Sequence, residues 1–416
     1  MKNDAALAPA APVVMVHAPR LAAIDGLRGV AILAVIYHHF LNQRLTGLFG
    51  APGVVFHRLF FSAYAFFSNG WLGVNLFFVL SGFVLMEPYA LERRRFESRA
   101  DVFTFYRRRA RRLLPLYYLC LFAAMLAADA LAVDEPRFGY DVFSLVTFTY
   151  SFRDDMFMPW FNMALWSLAV EVWFSVLFPG LVVLWRRVGL GKLVVAALVF
   201  SLGVRFVATY RWNANAAYHL TWKDGIFARL DDFVVGMALS VWLARRRQVP
   251  GAVASAVAVV VGIVVVGIAA VGWDNVVFAN LRFTSAAVLN DVVLAGIVLV
   301  VGGMLSTPPG WLRLAFGNRP LQLAGAMCYS LYLWHMIAVR RSEHWSLGGV
   351  FVYLGLVFAV SALTYRFVEF PERSARSLFL GFPRVTDAAW GLVQKRGNLA
   401  PPPARIETVS ELRGPT

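Results

Sequence analysis

Residues 21–42, LAAIDGLRGVAILAVIYHHFLN, decide how the rest of the chain is read. The run is apolar and long enough to cross a membrane, yet it carries Arg28 near its start and His38 and His39 further along. An α-helix rises about 1.5 Å and turns about 100° per residue. Arg28 and His39 are therefore predicted roughly 16 Å apart along the axis and about 20° apart around it, with His38 about 80° off that face. One face would present a permanent cation near a membrane surface and a titratable imidazole well inside. Ionisable groups at such depth are costly and mark a partner or a task. The plain alternative is that the histidines hydrogen-bond between helices while Arg28 snorkels to the headgroups.

The remaining sequence has the same character. Of its 416 residues, 59% are hydrophobic, and the mean hydropathy of +0.64 excludes an ordinary soluble globule. Apolar runs recur at 71–89, 113–133, 163–185, 193–210, 225–243, 251–271, 283–305, 321–339 and 347–367, giving an all-α polytopic membrane protein of ten expected spans. The net charge of +15 suggests nucleic acid only until its placement is seen. The arginine runs at 93–95, 107–109, 111–112, 186–187 and 245–247 sit in short loops on one side, which predicts both termini in the cytoplasm. Residues 1–20 lack a signal-peptide core and read as a disordered cytoplasmic leader, 21–376 as one transmembrane unit, and 377–416 as a cytoplasmic tail. Within that tail, 387–396 could form a short surface helix. Residues 58–71 suit an interfacial segment, and 141–152 should lie on the surface or dip into it. Cys120 and Cys328 fall inside predicted helices and suggest neither a disulfide nor a metal site.

Chemistry-bearing residues are spread through these helices. Gly73, Ser81 and Gly82 are small enough to let neighbouring helices approach. Arg108, Arg109 and Arg112 cluster at a predicted cytoplasmic helix start, where they can bind an anion or simply set topology. Glu171 lies about two turns into its helix, so it should be paired, protonated or catalytic. Trp166 and Ser167 precede it at the interface. Arg229, Asp231 and Asp232 suggest an internal ion pair, while Asp291 has no evident role. Tyr329, Tyr332 and His335 share the ninth span, and Arg366 and Glu369 look like an i, i+3 pair closing the tenth.

The order and spacing of these pieces resemble the acyltransferase 3 family of bacterial membrane O-acyltransferases, over about residues 21–376. The family's LDGLRG with R-x10-H is met by IDGLRG, Arg28 and His39, and its GxxGVDLFFVLSGF by GWLGVNLFFVLSGF. RRxxRxxP is met by Arg108, Arg109, Arg112 and Pro115, and WSLxVE by residues 166–171. YSLYLWH is met by 329–335 and YRxxExP by 365–371. Asn75 replaces a common Asp, which casts doubt on acid–base work at that position, and Met336–Ile337 stands where a proline is frequent.

The resemblance implies acyl transfer from acyl-CoA, with acetyl-CoA the expected co-substrate, to a hydroxyl of a carbohydrate or glycosylated metabolite of the bacterial envelope. It implies no bound cofactor, no metal and no nucleic-acid partner, and it places the protein in the cytoplasmic (inner) membrane among lipids. No fused hydrolase-like domain accompanies the membrane unit here, so that unit is expected to complete the reaction. Arg28, Arg108, Arg109 and Arg112 would hold the CoA phosphates by charge-assisted forks. His39 would act as general base or itself be acylated, with Glu171 orienting it or the acceptor. Ser81, Trp166, Ser167, Asp232, Tyr329 and His335 are acceptor-site or structural candidates. The competing class is a proton-coupled transporter of a small polar solute, for which the buried acids and histidines would be proton sites.

Overall fold

The computed structural model of the chain describes residues 18–41, 69–127, 137–212, 220–246, 250–274, 285–337 and 345–379. The regular structure of the described residues is all helical, and seven helices among them are long and apolar enough to cross a membrane. These are Gly70–Ala90, Arg99–Ala127, Leu165–Val188, Leu190–Ala208, Ala252–Gly272, Val288–Leu305 and Leu347–Glu369. The chain is a multi-pass membrane protein.

In chain order the helices are α1 (Ala18–Ile36), α2 (Gly73–Ala90), α3 (Arg99–Ala127), α4 (Phe138–Val146), α5 (Leu165–Val188), α6 (Leu190–Trp212), α7 (Leu220–Asp224) and α8 (Ile226–Arg245). There follow α9 (Ala252–Asp274), α10 (Ser285–Leu305), α11 (Gly310–Phe316), α12 (Arg319–Ala326), α13 (Cys328–Trp334), α14 (Leu347–Thr364) and α15 (Ala375–Phe379). Two π turns extend helices by one wide turn each, Tyr37–Leu41 after α1 and Tyr365–Glu369 after α14.

The first helix sits at the centre. Ile24, Leu27, Ala31, Ile32 and Val35 are buried, and α1 packs against α12 on one side and α2 on the other. Within a bilayer helices associate through close packing rather than by leaving water, so small residues decide which pairs meet. Gly29 lies against the Leu321 carbonyl, and Gly325 lies against the Asp25 carbonyl and the Gly29 amide; a Cβ at either would strike backbone. Gly82 and Gly236 make the equivalent contact between α2 and α8. Gly73 approaches the Ala31 carbonyl, as its size suggested, whereas Ser81 turns to a hydrogen bond.

Three expected spans are not among the seven. The stretch 321–339 is divided at Met327 into α12 and α13, neither long enough to cross. Asn318 starts α12 by accepting a hydrogen bond from the Leu321 amide at 3.0 Å. The helix of 225–243 forms as α8, but Arg229, Asp231 and Asp232 enrich it in charge. The first helix forms with Asp25, Arg28 and both histidines diluting its apolar run. Residues 141–152 are too short to span, as expected, and form α4 and a 3-10 turn, Thr149–Phe152. Arg153 fastens this element, bonding Asp141 at 2.7 Å and Asp155 at 2.6 Å, and its hydrogen bond holds the Asp155 carboxyl below its ordinary value. The expected interfacial segment up to residue 68, most of the leader and the tail beyond 379 lie outside the described residues.

Candidate active site

The arginine signature of α3 opens onto a cavity of about 270 Å³. Arg28 of α1, Arg94 of the α2–α3 loop, and Arg108, Arg109 and Arg112 of α3 all line it, with Glu171 of α5. These arginines are not equivalent. Arg109 donates to Glu171 Oε1 at 2.7 Å and to Ser175 Oγ at 3.2 Å, and Ser81 Oγ donates to the same Glu171 oxygen at 3.1 Å. Glu171 is therefore a paired carboxylate that ties α2, α3 and α5 together. Arg28 lies 3.8 Å from Asp25, and the Arg112 guanidinium sits over the Phe370 ring at 5.7 Å. Arg108 is exposed, and with Arg94 it also lines a polar cavity of about 460 Å³ around the loop after α2. Glu92, at φ 55°, turns that loop back, and the amides of Arg93 and Arg94 bond the Pro88 carbonyl.

A second cavity of about 270 Å³ lies toward the other end of α1 and holds the histidines. Val74 and Tyr332 line both cavities. Tyr332 and Ser167 share a hydrogen bond of 2.7 Å, and Tyr329 donates to the Leu113 carbonyl at 2.6 Å. Trp166 faces the second cavity and packs edge-on against Phe78.

Arg28 and His39 both stand on this first helix and its π extension, and they reach different cavities. Tyr37–Leu41 is a π turn, and an i→i+5 turn winds more slowly than an α-helix. Both His38 and His39 line the second cavity while Arg28 lines the first. Their rings meet edge-on with centroids 4.9 Å apart. The His39 ring lies 5.5 Å from that of His335 between centroids. His335 is fully buried, and its Nδ1 is 2.7 Å from the Tyr332 carbonyl, which can only accept. The proton therefore sits on Nδ1, leaving Nε2 a buried acceptor with no hydrogen-bond partner.

The buried charges of α8 split differently from the single pair expected. Arg205 of α6 bonds Asp231 and Asp291, each at 2.8 Å, which gives Asp291 its role. Arg229 bonds Asp224 and Asn290 and lies 3.8 Å from Asp232. Asn75 joins the same group, donating to Asn290 at 2.8 Å and Asp232 at 3.3 Å. Asp232 thus belongs to a buried network rather than to either cavity wall. At the end of α14 the expected Arg366–Glu369 pair is absent among the described contacts. The π turn puts them out of step: Arg366 donates to the Pro371 carbonyl at 2.9 Å, and Glu369 turns inward to Ser330. Sequence reasoning counted Arg94 and Lys223 only as loop charges, although each lines a cavity. It passed over Arg205, whose apolar neighbours gave no sign of two acidic partners on other helices.

A candidate O-acetyltransferase of Staphylococcus aureus strain COL is 26% identical over 380 residues, covering 84% of this chain and 57% of the relative. The peptidoglycan O-acetyltransferase OatA of Listeria monocytogenes is 23% identical, covering 84% of this chain and 55% of that protein. The O-acetyltransferase OatA of S. aureus strain NCTC 8325 is 25% identical, covering 86% and 58%. The chain spans somewhat over half the length of these curated relatives. No solved structure matches it. The model of the acyltransferase domain family matches residues 21–366, most of the chain, so the protein belongs to the acyltransferase 3 family.

Proposed function

We propose that the chain is an O-acyltransferase of the bacterial cytoplasmic membrane, moving an acetyl group from acetyl-CoA to a carbohydrate hydroxyl. One observation carries the reading. A single helix delivers Arg28 to an arginine-lined cavity and His39 to a second cavity, and Val74 and Tyr332 form the wall they share. The arginine end is assigned to the cytoplasm, with both termini on that side, because the loop arginines gather there. Residues 21–376 act as one catalytic membrane unit.

The donor's phosphates meet the exposed Arg94, Arg108 and Arg112 at the mouth, with the half-buried Arg28 further in. Arg109 is held by Glu171 and acts by fixing the cavity wall. The thioester arm extends to the Val74–Tyr332 wall, beyond which His39 waits. There the acceptor hydroxyl gives its proton to His39 and its oxygen attacks the thioester carbonyl. Collapse of the tetrahedral adduct breaks the carbon–sulfur bond, and the imidazolium returns the proton to the departing thiolate. His335 stands beside the base, its ring 5.5 Å from that of His39, so a small shift would let its Nε2, unpartnered among the described residues, accept the His39 N–H and turn the other His39 nitrogen toward the hydroxyl.

General-base assistance contributes about 10²–10⁴-fold, so His39→Ala should lose at least a hundredfold in acetyl transfer with membrane abundance near normal. His38→Ala should retain most activity. The assay follows radiolabelled acetyl from acetyl-CoA in membranes matched for protein level. An active His39→Ala beside a dead His38→Ala would reverse the assignment.

A further inference from the structure

The cavity beyond the Val74–Tyr332 wall has a chemistry of its own. At about 270 Å³ it falls at the small end of ligand sites, which run roughly 300–1,000 Å³, and suits one ring-sized residue. Trp71 and Trp166 supply flat apolar faces, and His38, His39 and Tyr332 supply polar edges. That combination of aromatic walls with a few placed polar groups is how small polar ligands are oriented.

The charges at its far side decide the ligand class. Lys223, Asp224 and Arg229 all line the cavity. Asp224 and Arg229 neutralise one another, and Arg229 is held further by Asn290 and lies near Asp232. Lys223 is half-buried at the end of α7 and has no ion-pair partner among the described residues. Its neighbour Asp224 is tied into the buried network, so the backbone that presents the ammonium is fixed. One cavity therefore holds a candidate base and one uncompensated point charge. A single ammonium matches a single carboxylate, whereas a phosphate is better met by a cluster such as the arginines of the first cavity.

We propose that this cavity is the acceptor subsite and that Lys223 selects a saccharide residue bearing a carboxylate, placing one of its hydroxyls at His39. The proposal rests on the acetyl-transfer reading above. The carboxylate reacts with nothing; it is a handle that sets which hydroxyl faces the base.

The test uses full-length protein in detergent with acetyl-CoA and three probes of equal size: methyl β-glucuronide, methyl β-glucoside and methyl β-glucosaminide. Equilibrium binding of each radiolabelled probe is measured without acetyl-CoA, and acetyl transfer is measured with it. The glucuronide should bind at least tenfold more tightly than the glucoside, a difference of about 1.4 kcal/mol. Lys223→Gln should erase that preference, Lys223→Arg should keep most of it, and Lys223→Glu should shift preference toward the glucosaminide. All three variants should bind acetyl-CoA as the parent does, which also checks their folding. Equal binding of glucuronide and glucoside by the parent, or a preference untouched in Lys223→Gln, overturns the proposal. If the glucuronide preference follows Lys223 but no acetyl moves to any probe, the subsite stands and the transfer reading fails. If acetyl-CoA is turned over and no probe binds, the transfer reading stands and the subsite is wrong.

Discussion

Two sets of arginines lie within this helix bundle, and they differ in what their guanidinium groups face. Arg205 and Arg229 are nearly closed to solvent between α6, α8 and α10 and gripped by carboxylates or amides, Arg229 reaching the wall of the second cavity with its charge already met by Asp224. Arg28, Arg108 and Arg112 border open space, and among the described residues Arg109 alone of the α3 cluster forms an ion pair with a carboxylate. Burying a charge is tolerated only when opposite charge and hydrogen bonds compensate it. The sealed set is compensated from within the protein and serves to lock helices. The open set has less internal compensation among the described residues, which on the proposed reading leaves room for an anionic substrate to supply it.

The sharpest way to break this contrast is to remove a sealed arginine. Arg205→Met leaves Asp231, which is fully buried, without its cation. Loss of one partner of such a pair costs about 3–5 kcal/mol, so membrane abundance and thermal stability in detergent should fall steeply. The pair replacement Arg205→Met with Asp231→Asn should recover part of the loss. A stable, active Arg205→Met protein would end the claim that this set is structural.

A smaller effect is expected where the two sets overlap in character. Arg109 and Glu171 are paired like the sealed arginines but stand on the cavity wall. Arg109→Gln and Glu171→Gln should each reduce acetyl transfer about tenfold or more, and the double variant should be no worse than the weaker single. Coupling between contacting residues runs to about 0.5–3 kcal/mol, which a double-mutant cycle on kcat/KM resolves. Strict additivity would show that the two act independently on the reaction.

The mildest change belongs to the open set. Arg94→Gln and Arg108→Gln should each raise the KM for acetyl-CoA by up to about fivefold, because exposed ionic contacts contribute about 0.2–1 kcal/mol apiece. Stability and kcat should hold, and the salt dependence of KM should flatten as fewer charges remain to be screened. A fall in kcat with KM unchanged would move these arginines from binding the donor to shaping the reactive wall.

The sequence was informative where one residue type answers one constraint. The helical character and most of the spans followed from apolar run length, and Gly73 and Gly82 could be read as contact points because only size mattered there. The grouping of Arg28 with the α3 arginines followed from motif order. What escaped depended on helix phase or on partners distant in the chain. A π turn at Tyr365–Glu369 parted Arg366 from Glu369, which an α-helical wheel does not assume. The ninth apolar run reads as one helix because nothing in its hydropathy marks the break at Met327. Asp231 and Asp232 are adjacent in sequence yet serve different arginines, one on α6 and one on their own helix.

The glycine contacts around α1 bear on how the molecule can move. Where Gly29 meets Leu321 and Gly325 meets Asp25, main chain rests on main chain, with no side chain between to change rotamer. Such a seam cannot slide by a turn or rock without lifting the helices apart, so α1 is an axle rather than a piston. Alternating access works by swinging one bundle of helices against another around a fixed site. Here the fixed axle itself carries both Arg28 and His39. On the proposed reading substrates reach that helix from its two ends, and among the described residues the partition between them includes Val74 and the Tyr332–Ser167 pair.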